Sequence, residues 1–170
     1  MANQNLFDEL KSESLVSVRN YRLRLLEEID ITMYGSKAWA YTLQKIGEEK
    51  GKNFLFEKGY GMGEVAARQI KENEDKIPEK LRTSDNFIMM CGFGSVNIFD
   101  SSGKVELKVQ KNHIIKFAKE LYGKDSVVCE FYRGVYNAFV DTFIQKTKLG
   151  ELSCICRGNL SCSFEGDKNV

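Results

Sequence analysis

From Leu15 to Leu26 the residues are β-prone and partly alternating, with Tyr21, Leu23 and Leu25 falling opposite Arg22 and Arg24, a pattern that predicts one or two strands. The spacing then changes. After the start signal Gly35-Ser36, Trp39, Leu43 and Ile46 recur at helical intervals and predict an amphipathic helix ending near Gly51. A second helix is expected from about Gly63 to Asn73, and the charged stretch from Lys71 to Arg82, which holds the only proline, reads as a solvated helix end and loop. Phe87 to Cys91, Ser95 to Phe99 and Lys104 to Val109 predict three strands, the last two joined by a hairpin turn at Asp100-Ser101-Ser102-Gly103. Ile114, Phe117, Ala118 and Leu121 then mark a helix closed by Gly123, and Val128, Tyr132, Val135, Phe139 and Phe143 line one face of a longer one. A short hairpin ends the chain. The order of elements predicts an α+β fold, an antiparallel sheet packed against several helices.

With 170 residues and 42% hydrophobic content, the chain is expected to form one core and one domain over residues 1–170, the first 28 or so being an N-terminal extension. The net charge is +1 and the charges are interspersed, which argues against nucleic acid and against a strong membrane-surface field. No stretch approaches the ~20 apolar residues of a spanning helix, and the N-terminus lacks a basic region followed by an apolar run. A soluble, cytoplasmic protein without membrane insertion is the expectation.

Five cysteines, an odd number with three near the C-terminus, fit a reduced compartment and point to metal binding or redox chemistry. Cys154 and Cys162 stand equally far from Gly158, so a turn at Arg157-Gly158-Asn159 sets them opposite each other on adjacent strands, where β-carbons lie roughly 4.5–5.5 Å apart. Two thiolates at that spacing can share one ion. Zinc is the expected metal, because a closed structural site takes four sulfur, nitrogen or carboxylate donors at ~2.0–2.3 Å, and a chain with one histidine cannot build a histidine-rich centre. Asp125 or Ser126 is the expected N-cap of the long helix, placing Cys129 in its first turn, where the helix dipole favours thiolate. Glu151 or Cys156 can supply a fourth donor. Alternation sets Glu151 and Cys154 on opposite strand faces, so Glu151 needs a bulge to join Cys154. Cys91 reads as core.

Gly59-Tyr60-Gly61-Met62-Gly63 invites a phosphate-loop reading but lacks the Lys-Ser/Thr that such loops carry, so close helix packing is the expected role. His113 reads as a surface or capping residue. The aromatics of the long helix cover more than one face, and Tyr132, Tyr136 and Phe139 are the candidate lining of a pocket between helix and sheet.

Val127-Val128-Cys129, Gly134, Glu151-x-x-Cys154 and Gly158-Asn159-x-x-Cys162-x-Phe164 together resemble the C-terminal half of the 4-vinyl reductase domain family. Gly92-Phe93-Gly94-Ser95-Val96 is similar to that family's glycine-containing β-segment, and Gly59 with Gly63 to its glycine-spaced helix start. The resemblance covers roughly residues 30–165. It implies a fold akin to the subunits of the TRAPP vesicle-tethering complex and to the aromatic-sensing domains of bacterial transcription activators, and a structural zinc held by Cys129, Glu151, Cys154 and Cys162. Cys156 stands where the family has a small residue that does not bind the metal, and is the alternative fourth ligand. The function implied is binding or sensing of a small apolar or aromatic ligand by a homodimer, without a catalytic set. A reductase of tetrapyrrole-like metabolism and a non-catalytic assembly scaffold are the alternatives.

Overall fold

The long C-terminal helix lies at the centre, with a helical layer on one side and an antiparallel sheet on the other. The computed structural model of the chain describes residues 16–19, 22–25, 29–31 and 35–168. Strands β1 (Val16–Arg19), β2 (Arg22–Leu25) and β3 (Ile29–Ile31) form an antiparallel meander in the order β1-β2-β3. The expected strands at the start of the chain are therefore present, while the expected sidedness of Tyr21, Leu23 and Leu25 lies outside the described residues. Helices α1 (Ser36–Lys50), α2 (Lys52–Glu72) and α3 (Ser84–Met90) follow. Next come β4 (Ser95–Asp100), β5 (Lys104–Lys111), α4 (His113–Tyr122), α5 (Val128–Phe143), β6 (Gly150–Ser153) and β7 (Cys162–Asp167). The second sheet has the order β4-β5-β7-β6 with every pair antiparallel, which is the expected α+β class.

Three predicted elements differ from what forms, one being the terminal hairpin, where Cys154 lies beyond the end of β6 and Ile155–Arg157 is a 3-10 turn. The Phe87–Cys91 run is the end of α3 rather than a strand: Thr83 caps that helix by accepting the Asn86 N–H at 3.4 Å, and Phe87, Ile88 and Met90 are buried on its inner side. A buried one-sided turn outweighs the β-propensity of Phe and Ile. The second helix begins at Lys52, so Gly59, Gly61 and Gly63 lie inside α2 instead of before it. Helix propensity disfavours three glycines there, but α2 packs backbone to backbone on α5. A Cβ on Gly59 would stand 1.9 Å from the Phe131 carbonyl oxygen, one on Gly63 2.6 Å from that of Val135, and one on Gly134 2.1 Å from that of Phe56. Only glycine permits this approach.

The face of α5 turned from α2 meets the sheet. Val105, Leu107 and Val109 alternate inward along β5, and Leu107 pairs with Phe164 of β7. The rings of Tyr136 and Phe164 lie 5.8 Å apart and those of Phe93 and Phe139 6.0 Å apart. Covered on both sides, α5 buries Val128, Phe131, Tyr132, Val135, Tyr136, Phe139 and Val140, the broad apolar arc its sequence predicts. No helix among the described residues is long and apolar enough to cross a membrane.

Candidate metal centre and adjoining cavity

The start of α5 is fixed from outside the helix. Val127 occupies the N-cap and offers no side-chain cap. Its N–H is taken instead by Gln44 of α1, whose Oε1 accepts at 3.0 Å and whose Nε2 donates to the Asp125 carbonyl at 3.1 Å. Ser126 Oγ accepts the Val128 N–H at 3.3 Å, so of the two expected caps Ser126 contributes and Asp125 lies in the preceding 3-10 turn. Cys129 sits in the first turn, as expected, and is buried.

Side chains of α5 also hold the segment that leads into β6. Asn137 donates to the Thr147 carbonyl and accepts the Leu149 N–H, both at 2.8 Å, while Asp141 accepts the Thr147 N–H at 2.8 Å. Arg133 donates to the Leu149 carbonyl at 2.8 Å, pairs with Glu130 at 2.8 Å and lies over the Phe56 ring. Strand β6 is thereby delivered to β7, with a register irregularity between Glu151 and Ser153. This is the bulge that strand alternation requires if Glu151 and Cys154 are to approach one side. A 3-10 turn, Ile155–Arg157, and a left-handed Gly158 at φ 93° then reverse the chain around the Cys154 carbonyl, which accepts from the N–H groups of Arg157 and Asn159 and from Asn159 Nδ2.

This folding gathers the sulfurs. Cys129 Sγ lies 3.1 Å from Cys154 Sγ and 3.8 Å from Cys162 Sγ, and Cys162 Sγ lies 3.9 Å from Cys154 Sγ. Cys156 joins them: the ligand atoms of Cys129, Cys154 and Cys156 all fall within 4.8 Å of one another, and Cys156 Sγ also points at the Ile115 carbonyl of α4, 3.9 Å away. All four side chains are buried and none is in a disulfide. Two thiolates on one tetrahedral zinc at ~2.3 Å are about 3.8 Å apart, which two of the three measured edges match. Cys129, then Cys156 and Cys162, hydrogen-bond to Cys154 and hold its thiol well below the ordinary range, while the bond to Cys154 pushes Cys129 well above it. A divalent cation removes the obstacle to ionising the remaining thiols. The Ile155 N–H, donating to Cys162 Sγ at 3.3 Å, adds a fixed dipole favouring thiolate.

Glu151 is placed differently. Its carboxylate pairs with Arg157 at 2.7 Å. Burial, and next the charge on Cys154, raise its pKa, with Arg157 opposing. Cys91, half-buried at the C-terminus of α3, packs against the core, and burial pushes its pKa up to about 12.

Tyr132, Tyr136 and Phe139 are buried; the Tyr132 and Tyr136 rings have centroids 6.0 Å apart, while Phe139 packs against Phe93 and Phe143. The Tyr136 hydroxyl donates to the Phe93 carbonyl at 2.9 Å and accepts from Asn112 Nδ2 at 3.3 Å. Burial raises the pKa of both tyrosines. Asn112 also caps α4, accepting the N–H groups of Ile114 and Ile115 at 3.0 Å, so the adjacent His113 is not the cap. A cavity of about 300 Å³ opens beside this cap, bordered by the end of β5, the first turn of α4 and the loop between Cys154 and Cys162. Sequence reasoning passed over it because its walls come from three separate segments.

No family profile matches the chain, and no curated protein matches it. Solved structures do. The phenol-responsive sensory domain of the transcription activator PoxR, determined with phenol, superposes with a TM-score of 0.64 at 12% identity, over 96% of this chain and 90% of that one. A trafficking protein particle complex subunit 3 from Naegleria fowleri, covalently bound to palmitic acid, gives a TM-score of 0.48 at 15% identity, over 79% of this chain and 95% of that one. The shared fold with the PoxR domain agrees with the architecture the cysteine and glycine landmarks implied.

Proposed function

We propose that this chain is a small-molecule-binding sensory domain of the 4-vinyl reductase type, built on a structural zinc. The single observation that carries the metal reading is the buried sulfur triangle, Cys129, Cys154 and Cys162, with edges of 3.1, 3.8 and 3.9 Å. These residues come from the start of α5 and from both ends of the terminal loop. For the fourth position the reading favours Cys156 over Glu151, since Cys156 lies within 4.8 Å of two of the other ligand atoms while Glu151 is held by Arg157. Four protein donors close the coordination sphere and leave no place for a reactive water, so the zinc supplies structure, not hydrolysis. The chain's own residues do the shaping: Gln44 holds Val127 and Asp125 at the start of α5, and Asn137 and Arg133 anchor the segment leading to Cys154.

The ligand class is a small apolar or aromatic molecule, and support for it comes from the fold shared with the phenol-responsive domain. A single domain over residues 1–170 in the reducing cytoplasm, pairing as a homodimer, completes the reading; Met62 and Val65, 43% and 54% exposed on α2, are available for pairing. The test is protection of thiols. In the zinc-loaded chain a thiol reagent should modify none of the four clustered cysteines, and adding a strong chelator should release all four together. Rapid modification of Cys154 or Cys162 without chelator would refute the metal reading.

A further inference from the structure

The cavity beside α4 has a size and a chemistry of its own. At about 300 Å³ it stands at the lower end of the volumes that hold small ligands, ~300–1,000 Å³. Its apolar surface comes from Val109, Ile115, Ile155 and Cys162, and from Leu160, which is 100% exposed on the loop. An aliphatic side chain that projects wholly into solvent gains by contact with an apolar ligand. The formal charges bordering the cavity are those of two lysines, Lys111 and Lys116. Lys111, His113 and Lys116 contribute to the lining and no carboxylate does. Neither lysine has an ion-pair partner among the described residues, whereas Lys104, Arg133 and Arg157 are each paired with a glutamate. The positive end of the α4 dipole points to the same place.

We infer that this cavity is the ligand seat, and that it takes a small carboxylate carrying one aromatic ring or a short apolar chain. This rests on the ligand-binding reading above and specifies it. The apolar part lies against Ile115, Ile155 and Leu160, and the carboxylate faces Lys111 and Lys116 at the opening. The buried rings of Tyr132, Tyr136 and Phe139, none of which lines this cavity, are core and not the seat itself. One wall, Ile155 to Cys162, is the loop whose two ends carry clustered thiols, and Cys156 approaches Ile115 on the other wall. Metal binding and cavity shape are thus linked through the same eight residues of chain, from Ile155 to Cys162.

The experiment is a backbone-amide NMR titration of the zinc-loaded full chain with sodium benzoate, and in parallel with benzyl alcohol, a neutral molecule of nearly the same shape. Benzoate should shift amides in 109–116 and 155–162 and bind more tightly than the alcohol. The exposed double variant Lys111→Gln, Lys116→Gln should weaken benzoate by about fivefold, the scale of an exposed ion pair, and leave benzyl alcohol unchanged. Equal affinity for the two probes, no shift with either at millimolar concentration, or shifts centred on Tyr132, Tyr136 and Phe139 would overturn the inference. The last outcome leaves ligand binding itself standing. Zinc content measured on the same sample separates a failure of the metal reading from a failure of this one.

Discussion

Gly59→Ala adds one methyl group at the tightest point between α2 and α5. The new Cβ would stand 1.9 Å from the Phe131 carbonyl oxygen and 2.8 Å from its carbonyl carbon, where real contacts stay beyond 3.0 Å. The helices must separate locally by about 1 Å, and because the obstacle is backbone, no rotamer change relieves it. Overpacking of this kind costs about 1–3 kcal/mol, and the rigid partner puts this site at the upper end. Replacing glycine by alanine within a helix returns about 0.5–1 kcal/mol, leaving a net loss of about 2 kcal/mol. For a chain of this size that is a fall of about 4–8 °C in Tm. Gly61→Ala, in the same helix with nothing within 4 Å of its Cβ, is the control and should gain about 0.5–1 kcal/mol. Chemical denaturation of the zinc-loaded variants measures both. Phe131 is two residues from Cys129, so Gly59→Ala should also weaken the metal. Equal stability of the two variants would refute the close-packing argument.

Competition with a chromophoric chelator should find that Cys156→Ser lowers zinc affinity by more than about tenfold, while Glu151→Gln changes it little; the reverse order would return Glu151 to the fourth position. Asn137→Leu leaves the Thr147 carbonyl and the Leu149 N–H unpaired and should cost about 3 kcal/mol in a urea melt. Burial, then its hydrogen bond to Asp141, raises Tyr60 to about 12. The unfolded state therefore loses this proton first, so stability is full below pH ~10 and falls as pH rises toward Tyr60's folded pKa. Melts at pH 9 and 11 should differ in that sense, and less so for Tyr60→Phe.

Much of this was legible in the residues. The helix after Gly35, the hairpin at Asp100–Gly103 and the broad apolar arc of α5 follow from local spacing, which a helix or turn expresses without distant help. What escaped depends on partners remote in sequence. The glycines of α2 look like a break until α5 lies against them. Phe87 to Cys91 looks β-prone until its inner side is buried, although Thr83 three residues before Asn86 is a cap signal that was there to read. The approach of Cys154 to Cys162 was legible because both stand four residues from Gly158, although Cys154 lies just past β6 and not on a strand. The engagement of Glu151 with Arg157 was not, because it depends on how the 3-10 turn projects that arginine.

The most direct test of the account is the metal content of the chain purified without added metal, by elemental mass spectrometry against protein concentration. One equivalent of zinc per chain, lost in both Cys129→Ser and Cys162→Ser, is the predicted result. Less than half an equivalent of any metal in the unaltered chain, or a full equivalent retained by either variant, would contradict the claim that one sulfur-bound ion joins α5 to the terminal loop.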